Sequence, residues 1–532
     1  MNTAVWQVNC YKQICLERED TGENEMNIKE AKQEICNTLR AYHRKYEAGN
    51  YLYPLVRQRP ILLMGPPGIG KTAIMEQAAR ESQVGLVSYT ITHHTRQSAI
   101  GLPHIEKRTY QGTEHVVTEY TLSEIIASVY EYMEQTGKKE GILFIDEINC
   151  VSETLAPTML QFLQNKTFGS HKVPDGWMIV AAGNPPEYNK SVREFDIVTL
   201  DRVRKIDIEV DVDVWMEYAW AHGVHGAILS YLSIKKDRFY LVENTVDGKF
   251  FVTARGWEDL SELIKSYEAL DIPVMKALVQ QFLQKEEVAD DFAAYYQLYC
   301  KYGEDYAIPQ IIEGTIENSD YEKRTAMAAQ ASFEERFTVV GLVLACLAQH
   351  MKVYEQMDAH LHQLHLALKY VKDFMEKQGG AQGMSAYISF REDGLRVKIE
   401  NELAGKKEIE EEQWILARLK EYELILKKEH LSDSIQCFDR IRQLFAEAVE
   451  ERKNRLMSLR EELERAFSFV ADCFGDDQEM VLFVSGLSKN ESAMKFIGEH
   501  GCDSYFRYSE ALLYRKQEEQ LKKAIKEEMK ND

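Results

Sequence analysis

Residues 61–72 read ILLMGPPGIGKT, and they constrain the chain more than any other stretch. An apolar tetrad runs straight into a turn built from glycine and proline. A helical pattern, TAIMEQAARE, follows over 72–81. Strand, glycine-rich turn and helix in that order make a P-loop: the glycines let the backbone wrap close around phosphates with its N–H groups turned inward. The helix then adds the positive end of its dipole. The cradle is expected from Gly65, Pro66, Pro67, Gly68, Ile69 and Gly70, with Lys71 reaching the β- and γ-phosphates and Thr72 offering its hydroxyl to Mg2+.

A P-loop needs a sheet behind it, and the sequence around this one supplies the strands. Short apolar runs at 84–91, 141–148 and 177–184 alternate with helical patterns such as TLSEIIASVYEYM over 121–133. Apolar strands separated by amphipathic helices predict a parallel sheet covered on both faces. With 532 residues the chain is too long for one core. The partition read here is an N-terminal helical segment over 1–50, an α/β nucleotide-binding core over 51–210, a helical lid over 211–285, and an all-α region over 286–532. The lid is interrupted by a hairpin, RFYLVENTVDGKFFVTAR, with VDGK as its turn. In the last region, apolar residues from Ile435 to Phe467 recur at three- and four-residue steps, as in one long amphipathic helix or a helical hairpin. Their seam drifts, which favours core packing or a partner helix over a sustained coiled coil.

The net charge of −22 argues against broad binding to nucleic acid or anionic membrane, both driven by Lys and Arg. The longest apolar run, Phe337 to Ala348, falls short of a membrane span and is read as a buried helix. Nine cysteines, Cys10 and Cys15 the closest pair, form no Cys-x-x-Cys motif and are expected as reduced thiols. With no secretory pattern at the start of the sequence, the expected location is the cytoplasm.

Four further features carry chemistry. ILFIDEIN over 142–149 delivers Asp146 and Glu147 to a strand's C-terminal end, where open α/β sheets bind ligands. Asp146 is expected to hold Mg2+ and Glu147 to activate water as a general base. The strand at 177–184 ends on Asn184, which either hydrogen-bonds the γ-phosphate or attacking water or merely opens an Asn-Pro turn. TLDRVRK over 199–205 places Arg202 and Arg204 after a helix-length segment that also contains Arg193. Any of the three could neutralise transition-state charge on the γ-phosphate, or form a salt bridge with Asp201 or Asp207. TARGWEDL over 253–260 sets Arg255 at a helix start that Thr253 can cap, with Glu258 and Asp259 near its first turn. From there Arg255 either reports on the nucleotide or is a surface residue.

These features in this order resemble AAA+ ATPases: Walker A at 65–72, Walker B at 142–147, sensor 1 at Asn184, an arginine finger near Arg202 and sensor 2 at Arg255. Finer features resemble the MoxR branch. The long segment over 91–120 stands where that branch carries an insertion in a helix. FGSHKVPDGWMIVAAGNP resembles its hairpin before the sensor 1 strand, and TLDRV resembles its LDRF finger with Val203 in place of Phe. The resemblance spans roughly 35–270. It implies hydrolysis of ATP with Mg2+ in a homo-oligomeric ring, usually a hexamer, with Arg202 acting on the neighbouring subunit's nucleotide. It also implies a chaperone-like remodelling role and a partner bearing a von Willebrand factor A domain.

Two other readings compete: a McrB-like motor subunit of a nucleic-acid-processing system, and a nucleotide-switched scaffold. The acidic charge weighs against the first. The set of Glu147, Asn184 and Arg202 weighs against the second. The Asn-Lys of NKSV over 189–192 lacks the Asp of a guanine-specific motif, which favours ATP. His360, His362 and His365 are read as a polar helix face more readily than as a zinc site. His93 and His94 are read as loop or partner contacts.

Overall fold

The computed structural model describes residues 25–511 apart from 94–98, 100, 111, 153, 169–170, 189–194, 246–247 and 401–404. Cys10, Cys15, His94, Arg193, the NKSV segment, half of the VDGK turn and the charged tail from Arg515 lie outside these residues. Two compact units emerge. One holds the described residues up to Val214 with Val242–Lys249 and Thr253–Arg255, and the other holds Trp215–Leu241, Phe250–Val252 and the chain from Gly256 onward.

The first unit begins with β1 (Glu25–Met26), α1 (Ile28–Tyr42), β2 (Ile61–Met64), α2 (Lys71–Glu81) and β3 (Gly85–Thr90). A hairpin of β4 (Pro103–Tyr110) and β5 (Thr113–Tyr120) follows, then α3 (Glu124–Thr136), β6 (Gly141–Asp146) and α4 (Ala156–Asn165). A two-residue pair, β7 (Thr167–Phe168) and β8 (His171–Lys172), precedes β9 (Trp177–Gly183), the one-turn helix α5 (Ile197–Leu200) and β10 (Arg204–Ile208). Six of these strands form one parallel sheet in the order β1-β10-β2-β9-β6-β3.

Alternation along a strand sends successive side chains to opposite faces, so a strand buried on both faces must be apolar throughout. In β2, Ile61 and Leu63 pack with Ile35 and Leu39 of α1 and with Ile74, Met75 and Ala78 of α2. Leu62 and Met64 face the other way, toward Ile125, Ile126 and Val129 of α3 and Met159 and Phe162 of α4. The sheet therefore lies between two helical layers, as the sequence predicts. Helix α1 starts on a reciprocal cap: Asn27 accepts from the Glu30 N–H at 2.9 Å, and Glu30 accepts from the Asn27 N–H at 3.0 Å.

The segment that stands where the resembled branch carries an insertion in a helix holds the β4–β5 hairpin, antiparallel from Pro103↔Tyr120 to Tyr110↔Thr113. His93 closes a single 3-10 turn, Ile91–His93, ahead of it. The small β7–β8 pair stands where a hairpin was expected before the sensor strand.

After α6 (Val212–His222) and α7 (Gly226–Ile234) come the hairpin strands β11 (Leu241–Thr245) and β12 (Gly248–Val252), α8 (Ala254–Ala269) and α9 (Lys276–Phe282). Helices then take over: α10 (Glu286–Tyr306), α11 (Ile308–Glu313), α12 (Asn318–Ala329), α13 (Phe333–Gln378), α14 (Gly380–Glu400), α15 (Lys406–Lys428), α16 (Ser434–Phe474), α17 (Gln478–Lys489) and α18 (Glu491–His500). The second unit has an aromatic nucleus in which Tyr231, Trp257 and Phe292 meet at centroid distances of 5.2–5.8 Å.

The apolar run at 337–348 belongs to α13, whose 46 residues exceed what the run alone suggests. By length and composition this helix could cross a membrane, but half of its most apolar window is buried inside the protein. Val339, Val340, Val343, Leu344 and Leu347 are core residues, as a buried helix requires. The stripe from Ile435 resolves into one helix of 41 residues, α16. Ile441, Leu459, Leu463 and Phe467 are buried, whereas Ile435 and Val449 are exposed.

Helix α16 runs antiparallel to α13 along most of its length. Ser434 donates to the Met375 carbonyl, His365 packs on Phe445, Asp358 pairs with Arg452, and His350 meets Glu462 at 2.7 Å. Glu462 is 1% exposed and also accepts from Arg455 and Ser458. Burial alone would raise its pKa, but the donors from His350, Arg455 and Ser458 hold it down at about 2. His360 stacks on Trp414 at 4.4 Å and His365 packs on Phe445, while His362 is exposed.

Candidate nucleotide site

The register of the sheet brings the expected site together. Met64 of β2 pairs with Gly183 of β9, and Ile145 of β6 pairs with Ala181 of β9. The three strands therefore end side by side, and each end releases a chemical group: Gly65 after β2, Asp146 and Glu147 at the end of β6, Asn184 after β9. This is the carboxyl edge of a parallel sheet, where ligands of such sheets bind.

The P-loop turn depends on glycine at specific points. Gly68 has φ +74° and Gly70 has φ +97°, both left-handed, and Gly70 immediately precedes α2. A Cβ on Gly68 would lie 3.1 Å from the Thr253 side chain. The Arg255 N–H donates to the Gly68 carbonyl at 3.3 Å. The start of α8 is thus tied to the crown of the loop, and Arg255 itself is exposed.

Lys71 is buried, and its ammonium donates to the carbonyls of Gly65 and Pro66, both at 2.8 Å, and to Asn184 Oδ1 at 2.9 Å. Burial pushes its pKa down to about 8. The Asp146 and Glu147 carboxylates oppose that shift, and the nearby Arg255 charge reinforces it. Thr72, exposed at the first turn of α2, donates to Asp146 Oδ2 at 3.1 Å. Asp146 Oδ1 accepts the Glu147 N–H at 2.9 Å, and Glu147 takes a left-handed φ of +56°. That conformation is costly for a residue other than glycine and ends the strand abruptly at the acidic pair.

The donor set suits a nucleotide triphosphate and its metal. A hydroxyl and a carboxylate, Thr72 and Asp146, are hard oxygen ligands of the kind Mg2+ takes. A buried ammonium, inward glycines and a helix N-terminus suit phosphate. Magnesium bound there would neutralise charge on the phosphate oxygens. Residues 61–200 match the family model for the ATPase family associated with various cellular activities (AAA). They form an AAA ATPase domain. No curated protein matches the chain. The matched stretch contains Lys71, Thr72, Asp146, Glu147 and Asn184 and stops before Arg202 and Arg255.

The three arginines near the end of the AAA domain have different fates. Arg193 lies outside the described residues. Arg204, in β10, is engaged by Glu34 and Thr38 of α1. Its partner is therefore neither Asp201 nor Asp207, and its guanidinium is committed to fastening β10 to α1. Arg202 is exposed on the turn after α5, between Asp201 and the buried Val203. That turn is well defined: Asp196 caps α5 through the Thr199 N–H at 2.8 Å, and the Arg202 N–H donates to the Thr199 carbonyl at 3.0 Å. Val203 joins the core, anchoring the turn while Arg202 stays in solvent.

One residue of the site escapes a reading of motifs. Asn149, 2% exposed, donates from Nδ2 to the Asn184 carbonyl at 2.7 Å and accepts the Asn184 N–H at Oδ1 at 3.3 Å. It is the last letter of ILFIDEIN. Its polarity amid an apolar surrounding is the signal the sequence offers, but its partner lies 35 positions downstream.

Proposed function

We propose that this chain hydrolyses ATP within a ring of like subunits and uses the cycle to remodel a protein partner, in the manner of the MoxR branch of AAA+ ATPases. In this reading Lys71 and the Gly65–Gly70 turn hold the phosphates, and Thr72 and Asp146 hold Mg2+. Glu147 takes the proton of the attacking water, and Asn184 fixes the γ-phosphate side of the pocket. The observation that carries the ring is the contrast between Arg202 and Arg255. Lys71 feels Arg255, Asp146 and Glu147, whereas Arg202 acts on Asp196, whose pKa is lowered first by its Thr199 hydrogen bonds and then by the Arg202 charge. An exposed arginine on a hydrogen-bonded turn, not among the charges that act on Lys71, suits the nucleotide of a neighbour. The MoxR assignment rests on the long segment after β3, on FGSHKVPDGWMIVAAGNP and on TLDRV. A von Willebrand factor A domain partner follows from that assignment.

The test is phosphate release from purified, assembled protein, with Lys71→Ala as the negative control. Turnover that depends on Lys71 supports hydrolysis; its absence in the assembled protein refutes it. The Glu147→Gln variant, expected to bind ATP and stall, then serves as bait. Retention of one protein from the native host, released on washing out nucleotide, identifies the partner. Preferential retention of DNA or RNA instead would point to a nucleic-acid motor.

A further inference from the structure

The P-loop, the acidic pair and Asn184 sit on three separate strand ends, and the β6–β9 pairing ends at Ile145↔Ala181, so the acidic pair and Asn184 need a further tie to each other. Asn149 stands where that support is needed. It follows the acidic pair through a turn whose Ile148 N–H still pairs with the Ala182 carbonyl at 2.9 Å. Its carboxamide then grips the N–H and C=O of Asn184, as described above, like one more rung between the two strands. Backbone and side chain of Asn184 thereby receive opposite duties. The backbone is clamped by Asn149, and the side chain holds Lys71 Nζ at 2.9 Å.

Gly183 makes room for this grip. A Cβ at Gly183 would lie 2.6 Å from Asn149 Oδ1 and 2.9 Å from its Cγ, so any larger residue would push the carboxamide away. The backbone at Gly183 is not left-handed. Glycine is therefore needed here for the space it leaves under Asn149, not for an unusual conformation.

We propose that Asn149 is a positioning residue for the hydrolytic step. It transmits the place of the acidic pair to Asn184 and so sets where the Asn184 carboxamide stands between Lys71 and the phosphate to be cleaved. Asn149 touches no phosphate itself. Its effect passes through Asn184 and belongs to turnover, not to nucleotide capture. The proposal rests on the ATPase reading above.

The experiment measures ATP turnover (kcat and KM) and the affinity for a fluorescent ATP analogue in the assembled full chain. It compares wild type with Asn149→Ala, Asn184→Ala, the double variant and Gly183→Ala. Removing an outer support of this kind is expected to lower kcat about 10- to 100-fold, with analogue affinity within about threefold of wild type. The double variant is expected to be no slower than Asn184→Ala, because residues acting as one unit do not add. Gly183→Ala, which leaves Asn149 in the sequence but denies it its place, is expected to reproduce the kcat loss. If Asn149→Ala does not fold, Gly183→Ala carries the test against its own double variant with Asn184→Ala. Unchanged kcat in Asn149→Ala and in Gly183→Ala overturns the proposal, and so does a multiplicative loss in the double variant. A parallel fall in analogue affinity also overturns it, as it would reveal a general loosening of the pocket. Wild-type protein that turns over ATP while Asn149 proves inert sinks this proposal alone. Wild-type protein with no Lys71-dependent turnover sinks the ATPase reading and this proposal with it.

Discussion

If Arg202 completes the neighbour's active site, two inactive variants should rescue each other when mixed. Glu147→Gln removes the base but keeps the arginine, and Arg202→Ala removes the arginine but keeps the base. Losing an arginine finger costs on the order of 10³–10⁵ in rate, so each variant alone is effectively silent. In a mixed head-to-tail ring, an interface is competent when a subunit carrying Glu147 faces a neighbour carrying Arg202. With fractions p and 1−p, random assembly makes a share p(1−p) of interfaces competent, about one quarter at equal mixing, whatever the ring size. The prediction is therefore a bell-shaped curve of phosphate release against mixing ratio, peaking near 25% of wild-type activity at equal amounts. Subunits must exchange, which differently labelled proteins confirm by co-purification. A flat baseline at all ratios in co-assembled rings would refute the argument. So would residual activity of Arg202→Ala alone near the wild-type level.

Three further outcomes follow from the same geometry. Lys71, depressed to about 8 by burial, should hold its proton more firmly when phosphates arrive. Nucleotide affinity is then highest below pH 8 and falls as pH rises through it, about tenfold by pH 9, with proton uptake visible by calorimetry in buffers of different ionisation enthalpy. Gly68→Ala forces a side chain into a left-handed backbone position against Thr253, and should cut nucleotide affinity at least tenfold while the thermal midpoint moves little. Glu462→Ala leaves the Arg455 and His350 charges unpaired inside the helical unit, and should destabilise it by about 3–5 kcal/mol in urea unfolding. The folded pKa of Glu462 is depressed, so its contribution is present above its unfolded pKa and disappears as pH falls from there toward 2. His350 is raised to about 10, by the Cys346 thiol and then by Glu462. Its contribution is full below its unfolded pKa and is lost as pH rises through 10. Wild-type helical stability should therefore be greatest in mildly acidic solution, a maximum that Glu462→Ala flattens.

What was legible in the sequence is local. Lys71 and Thr72 could be placed because strand, turn and helix are adjacent in the chain, and Asp146 because its own apolar strand ends on it; the structure brings Thr72 and Asp146, 74 positions apart, within 3.1 Å. Asn149 and its hold on Asn184 were not legible, since a buried asparagine says that it has partners but not which. Arg204 shows the same limit: acids beside it in sequence invite a local salt bridge, yet its partner Glu34 is 170 positions away on α1. The β4–β5 hairpin is not legible for another reason. Its strands bear exposed apolar residues such as Ile105 and Val116 between charges, a texture equally compatible with a polar loop. The apolar stripe of α16 signals burial, but the exposure of Ile435 and Val449 shows that spacing alone cannot say where one core stops.

The pairing of α13 with α16 has a mechanical consequence. Contacts from Met375–Ser434 to His350–Glu462 keep the two helices in step. The 41 residues of α16 alone span about 60 Å. Two long rods cross-braced at intervals resist bending far better than either would alone, so such a strut turns as one piece. A tilt of about 5° at one end displaces the other by about 5 Å, roughly one helical turn. Small rearrangements at the Val339–Leu347 end would thus arrive magnified at the Leu364–Met375 end.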